Sequence, residues 1–484
     1  MNSFQRKSLY AALAGAGALG VTSAADAVNL NPQGLGQVLI YPYYTVNSDA
    51  NGNAYNTLLS IVNSTASAKA VKVRFLEGKN SREVLDFNLF LSKHDVWTAA
   101  VLPSSSGGGK VLTFDNSCTI PDNSFLHAGV DFVNFGYTGG ADDKGGTGLD
   151  RTKEGYVEII EMATYASTSS TWALVTHSAG KPACGITDSV ASKKGKEAQP
   201  PSGGLFGGAS LINVAAGTDY TEDAVALQRF NTSVLYTPAG SVSPTLADAD
   251  DFSLVTGANN GNGIFLSFWP ASNPANNTAD PVSAVLMHDQ VMNEYVLDAA
   301  TKSGTDWVVT FPTKRFYVKT GTGAAPKLFQ RNFNDGAGSC DDITLAIYDR
   351  EEKTTSTPVT FSPPPPTPTT SICWEANIIT FNNSNLLGSK NISNINTGNA
   401  NGWLNLTFNT TSTAGYHQLT NQTNTQFFAA SGSTTGLTTT YFGLPVVGFA
   451  VQSFTNGALV VGGTNVLSNY GGNFVHKTTT FILC

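Results

Sequence analysis

Between residues 69 and 76 the chain alternates strictly, with Val71, Val73 and Phe75 on one side and Lys72 and Arg74 on the other. A period of two is the signature of a strand with one face in a core and one in water. The same reading covers its neighbours. Residues 37–46 and 57–63 are apolar runs separated by the Asn/Asp/Gly-rich segment 47–56, and Leu85, Phe87, Leu89 and Leu91 again share a face. Residues 96–102 and 110–114 add two shorter runs around a Ser/Gly loop. Strands recurring about every 10–12 residues, with turn residues between them, predict an all-β fold of antiparallel β-sandwich type.

Further along the pattern loosens. Residues 155–162, 306–319, 343–349 and 372–381 read as strands, the second interrupted at Pro312. Segments 209–215 and 219–227 flank Gly217 as a hairpin would. Residues 284–298, with Leu286, Met287, Val291, Met292 and Tyr295, are the best helix candidate. From residue 382 on, Asn, Thr, Ser and Gly dominate, and residues 441–454 form the most apolar run, expected as buried strand. The expected organisation is an immunoglobulin-like sandwich over 28–115, a second β-rich region with long Gly/Asn/Ser-rich loops over 116–360, and an Asn/Thr-rich β region over 372–484. The Pro-rich stretch 361–371 reads as a linker or, if Cys340 and Cys373 pair across it, as a stapled loop.

The N-terminus changes the picture of where this fold forms. Arg6 and Lys7 precede an uncharged run rich in Ala, Leu and Gly, then Ala25-Asp26-Ala27. This is the layout of a secretory signal, predicting 1–27 as a signal peptide cut after Ala27, with Ala25 as the alternative. No later apolar stretch is long enough for a spanning helix. Export implies an oxidising compartment, so the five cysteines bear on stability. Neighbours in sequence give Cys118–Cys184 and Cys340–Cys373 as the favoured pairs. Cys484 is left free, exchanging with one of these, or linking two chains.

Only 13% of the 484 residues are charged, the net charge is −8, and aromatics are plentiful. That composition excludes a disordered chain and disfavours nucleic-acid binding.

Two stretches, Gln37-Val-Leu-Ile-Tyr-Pro-Tyr-Tyr44 and Ala70-Val-Lys-Val-Arg-Phe-Leu-Glu-Gly78, together resemble the opening of uncharacterised exported proteins of Gram-negative bacteria. Gly443-Leu-Pro-Val-Val-Gly-Phe-Ala450 is similar in character. The resemblance implies the compartment and no activity.

Candidate chemistry is sparse. The six histidines are scattered without zinc-protease spacing, and no Gly-x-Ser-x-Gly elbow occurs. His177-Ser178 reads as a loop beside Cys184. Glu158 and Glu161, a tempting glycosidase pair, lie three apart, so on a strand they face opposite ways and read as edge or surface residues. Asn47, Asp49 and Asn51 before Gly52 put oxygen ligands at alternate positions, as calcium prefers, although Leu58 stands where an EF-hand needs Glu. Asp142 and Asp143, and Asp248, Asp250 and Asp251, are weaker clusters. Tyr41, Tyr43, Tyr44, Trp97 and Trp403 could stack on sugars or serve the core. These readings favour an exported, non-catalytic structural or adhesive protein that self-associates or meets cell-surface polysaccharide. A carbohydrate-binding or carbohydrate-active protein is the alternative, and an outer-membrane barrel the third.

Overall fold

A computed structural model describes residues 26–195, 197–258, 262–320, 328–333, 338–352, 370–408, 415–429 and 432–484. Almost all of the expected signal segment and most of the Pro-rich segment 361–371 lie outside these residues.

The chain is all-β, built from several antiparallel sheets. Its N-terminal part contains β1 (Asn29–Leu30), β2 (Val38–Thr45), β3 (Asn56–Asn63), β4 (Ala68–Glu77), β5 (Glu83–Leu91), β6 (Val96–Pro103) and β7 (Gly109–Leu112). It continues with β8 (Cys118–Ile120), β9 (Val130–Asp131), β10 (Glu154–Tyr165), β11 (Ala198–Gln199), β12 (Leu205–Asn213), β13 (Thr218–Asp223) and β14 (Val225–Gln228). One sheet runs β1-β14-β2-β10-β4-β5-β8, with β11 beside β10, and a second runs β13-β12-β3-β6-β7-β9. They pack face to face as a sandwich, with Leu39, Ile61, Val73, Phe75, Trp97 and Ile159 among the side chains between them. Pairing does not divide at residue 115: β10 lies between β2 and β4 in the middle of the first sheet, so the sandwich extends to residue 228.

Local chemistry explains the centre of that sheet. Pro42 has no N–H to give a ladder, and the β2–β10 register shifts opposite it, between Gly155 and Val157. Gly155 must be glycine, because a Cβ there would sit 1.9 Å from the Leu76 carbonyl oxygen.

Residues 252–484 form the second part. Strand Gly304–Thr310 lies between Ala376–Phe381 and Val447–Val461, and Asn401–Phe408 lies between Asp341–Asp349 and Gln290–Val296. The hairpin Phe252–Ala258/Asn262–Phe268 continues into Gln418–Ala429 and Gly432–Phe442. Val28 bridges in parallel to Ser253 at one end of this hairpin's first strand, and Phe481 to Ala258 at its other end. The expected helix over 284–298 is mostly strand. A helix occupies Asp280–Leu286, with Pro281 in its first turn, and Gln290–Val296 pairs with Asn401–Phe408. The ladder, with Val291 and Tyr295 buried beneath it, overrides the helix-like spacing.

The second part covers the other face of the first sheet, so β4 and β10 are buried throughout. Ile40, Leu76, Tyr156 and Ile160 join Trp307 and Phe311 in one cluster. The expectation of a half-buried β4 therefore fails on its polar side: Lys72 and Arg74 are buried at the junction. Cys118 is bonded to Cys184 and Cys340 to Cys373, the pairs expected between sequence neighbours, and Cys484 is free and exposed. Strand Asp341–Asp349 pairs with Thr370–Ile372, so both flanks of the Pro-rich segment meet beside the second disulfide.

Candidate functional site

The sequence-derived candidates separate in space. Glu158 and Glu161 do face opposite ways, but both are fully buried and ion-paired, not surface residues. Glu158 Oε2 accepts from Arg74 Nη1 at 2.6 Å and lies 3.5 Å from Arg315 Nη2, while Arg74 Nε reaches Glu83 Oε2 at 2.7 Å. Glu161 receives Lys69 Nζ at 2.7 Å together with the Ser202 and Gly203 amides. Arg151 bridges Glu77 and Asp143, using parallel N–H groups on each carboxylate. These pairs mostly link neighbouring strands and loops of the first sheet, and Arg315 reaches Glu158 from the second part.

Of the calcium candidates, Asn47 is buried and Asn51 exposed. Asp49 accepts from the Asn51 and Asn53 amides at 2.9 Å and from Asn213 Nδ2 at 3.1 Å. This is a hydrogen-bonded turn closed by protein donors. Asp143 belongs to Arg151, Asp142 to Lys144, Asp248 caps the turn at Thr245, and Asp250 holds Thr232. Among the described residues no group of three His, Cys, Asp or Glu could hold a metal.

His177 meets a serine in space: Ser92 Oγ lies 3.2 Å from its Nδ1. Asp95 approaches the same nitrogen, at 3.8 Å. A relay needs acid and hydroxyl on different ring nitrogens, so this is not a triad.

Tyr41, Tyr43, Tyr44 and Trp97 are core residues, and the tyrosine hydroxyls donate to Ser60 O, Glu154 Oε2 and Thr152 O. Trp403 alone of the aromatic candidates is exposed, with one ring face stacked 4.4 Å from Tyr348.

What the sequence did not single out is an open groove on the first part. The outer face of β3, β6 and β12 carries exposed Leu58, Val96 and Phe206, and Phe114 beyond β7 is 78% exposed. Between the rings runs a trough of about 870 Å³, lined by hydroxyls of Ser60, Thr98, Ser210 and Thr221 and by Asp115 and Asp223. Gly208 shares the outward side with Phe206 and puts no side chain on the floor, while Gly207 faces inward, where a Cβ would lie 2.0 Å from Ser60 O and 2.3 Å from the buried Tyr41 hydroxyl. Phe206, Gly207 and Asp223 also line a second cleft of about 810 Å³ between the two parts, bounded by residues 29–35 and by Val255, Val285 and His288. Burial pushes His288 down to about 4, and its Nδ1 lies 3.0 Å from Thr480 Oγ1, so it is neutral near pH 7. Neither wall carries Lys or Arg among the described residues. The two walls thus present aromatic faces, hydroxyls and carboxylate acceptors and, among the described residues, no cation. The signal for Phe206 was present in the chain: it is the outward member of the Leu205-Phe206 alternation at the start of a strand.

A second constellation lies in the interior. Lys314, from the turn Lys314–Phe316, places Nζ 2.8 Å from Asp341 Oδ2 and donates to Ser339 O. The rings of Phe311 and Phe329 lie 5.6 and 5.1 Å from that nitrogen. Asp341 Oδ1 accepts from the Gln330 amide at 2.8 Å and lies 3.2 Å from His417 Nε2. Glu375 is buried in the same region beside the Ser81 hydroxyl, and burial, opposed by Lys314 and Ser81, pushes it up to about 8.

No protein-family model, no curated protein and no solved structure matches this chain.

Proposed function

We propose that the chain is exported and works at the cell surface or outside the cell as a structural or adhesive β protein, docking a neutral polysaccharide along the groove. The observation that carries this is the Phe114–Phe206 trough, whose hydroxyl and carboxylate lining continues into the cleft. Sugar C–H faces pack on aromatic rings, while carboxylates accept sugar hydroxyl protons. Acidic glycans are repelled by Asp115 and Asp223. On immobilised glycans the protein should bind neutral polymers, and Phe206→Ala should weaken binding about tenfold, the equivalent of one aromatic contact. Binding unchanged by Phe206→Ala, or no glycan bound at all, removes the reading. A glycan-silent protein whose dimer dissociates in sedimentation on Val96→Lys would assign the same face to self-association.

The fold also bears on processing. Ala27 is fully buried against Leu254, Ile264 and Leu266, and the Val28 amide donates to Phe252 O at 2.9 Å. Cleavage after Ala27 would empty that site, whereas Ser23-Ala24-Ala25 offers small residues for a cut two positions earlier. N-terminal sequencing of the exported protein should therefore read Asp26 first. A start at Val28 would contradict this.

A further inference from the structure

We propose that Lys314 Nζ and Asp341 Cγ condense into an intramolecular isopeptide bond, with Glu375 carrying the proton. This bond is independent of any ligand in the groove.

Three observations single out this pair. First, amine and carboxylate touch at 2.8 Å with both side chains buried. Burial penalises both charges, while Lys314 and His417 hold Asp341 below the usual carboxylate range, so the pair rests ionic and reaches the neutral amine and acid that react by proton transfer within it. Second, the site is apolar and aromatic: Phe311 and Phe329 flank the amine, and Phe408 meets Phe311 at 5.8 Å. Such walls exclude the water that would reverse the reaction. Third, Glu375 is fully buried nearby, within reach of the Lys314 charge and beside the Ser81 hydroxyl, with no closer hydrogen bond on either oxygen. The Cys340–Cys373 disulfide is adjacent to Asp341 in sequence and two residues before Glu375, and Asp341 is registered against Ile372. Acid, amine and proton carrier are thereby held together, which is the positional advantage an intramolecular condensation needs.

The chemistry balances without a cofactor. The Lys314 ammonium passes a proton to the Asp341 carboxylate. The amine lone pair attacks Cγ and forms the C–N bond. Glu375 gives a proton to the departing oxygen and recovers one from the attacking nitrogen. The C–O bond breaks and water leaves, so ammonium plus carboxylate become amide plus water. His417 Nε2, 3.2 Å from Oδ1, acts as a positioning residue that holds the acid's second oxygen.

Intact mass spectrometry of the purified, reduced and alkylated protein tests the bond. The expected mass is one water below that of the sequence, with peptide mapping giving a branched peptide joining Lys314 to Asp341. Lys314→Arg should restore the full mass, and Glu375→Gln should leave most chains uncrosslinked. A wild-type chain at full mass with linear Lys314 and Asp341 peptides overturns the proposal. So does a water loss that persists in Lys314→Arg or maps elsewhere. The wild-type measurement decides even where a variant fails to fold.

Discussion

Replacing Arg74 by Met should destabilise the protein by about 3–5 kcal/mol, the cost of removing one partner from a buried ion pair. Arg74 is 2% exposed, and its loss strands Glu158, fully buried, with only Arg315 at 3.5 Å. Glu83 can turn toward water, being 22% exposed, but Glu158 cannot. Glu158 Oε1 already lacks a partner, so the site has no spare donor to offer. Equilibrium denaturation by urea would read the loss directly. The double variant Arg74→Met, Glu158→Leu should recover most of it, because two apolar side chains of similar size need no compensation. If the single variant stays within about 1 kcal/mol of wild type, the junction is wetter than its burial implies.

The second large effect concerns pH. Burial pushes Asp306 up to about 6, against hydrogen bonds from Ser384 Oγ and the Leu387 amide that favour the ionised form. The folded chain therefore keeps a proton that the unfolded chain releases from about pH 3.8. The associated stability is full below that pH and is lost as pH climbs toward about 6, a cost of about 3 kcal/mol from this residue. Glu222 works in the same direction from about pH 4.5 upward, because burial, against a backbone hydrogen bond from Tyr43, raises it well above the usual carboxylate range. Asp143 acts oppositely. Burial alone would raise it, but hydrogen bonds from Arg151 and Asn80 hold it at about 2, so its contribution disappears as pH falls below 3.8. His288 and His476, which burial lowers to about 4, oppose Asp306: the unfolded chain takes up their protons first, so their contribution is full above the ordinary imidazole range and is lost as pH falls toward about 4. The Asp306 part is therefore read as a difference: from about pH 4 to about pH 7, Asp306→Asn should gain about 3 kcal/mol on wild type in denaturant unfolding. A difference between the two proteins that does not change with pH would contradict the assignment.

Where sequence reading succeeded and failed follows from how far apart the deciding residues are. Strands such as Val38–Thr45 and Ala68–Glu77 were legible because alternation and turn residues are local signals. The fate of Lys72 and Arg74 was not. Their alternation looks identical whether the polar side meets water or a second layer, and the layer is supplied by residues such as Tyr295 and Phe311, over two hundred positions away. Glu158 and Glu161 were placed on opposite faces correctly, yet their burial depended on the same distant cover. The helix expected over 284–298 yielded to a ladder whose partner strand begins at Asn401. The groove needs three strands side by side before Phe206 and Gly208 become a wall and a floor. Lys314, Asp341, His417 and Glu375 are single residues scattered over a hundred positions, with no spacing that could have announced them.

The two bridges on strand Phe252–Ala258 have a mechanical consequence. Val28 is fastened beside Ser253 and Phe481 beside Ala258, five residues further along the same strand. That separation is about 17 Å at the rise of an extended chain. Tension applied between the two segments would be carried across this one strand, whose Leu254, Val255 and Thr256 line the cleft, so a pull on either segment would be felt directly in the cleft wall.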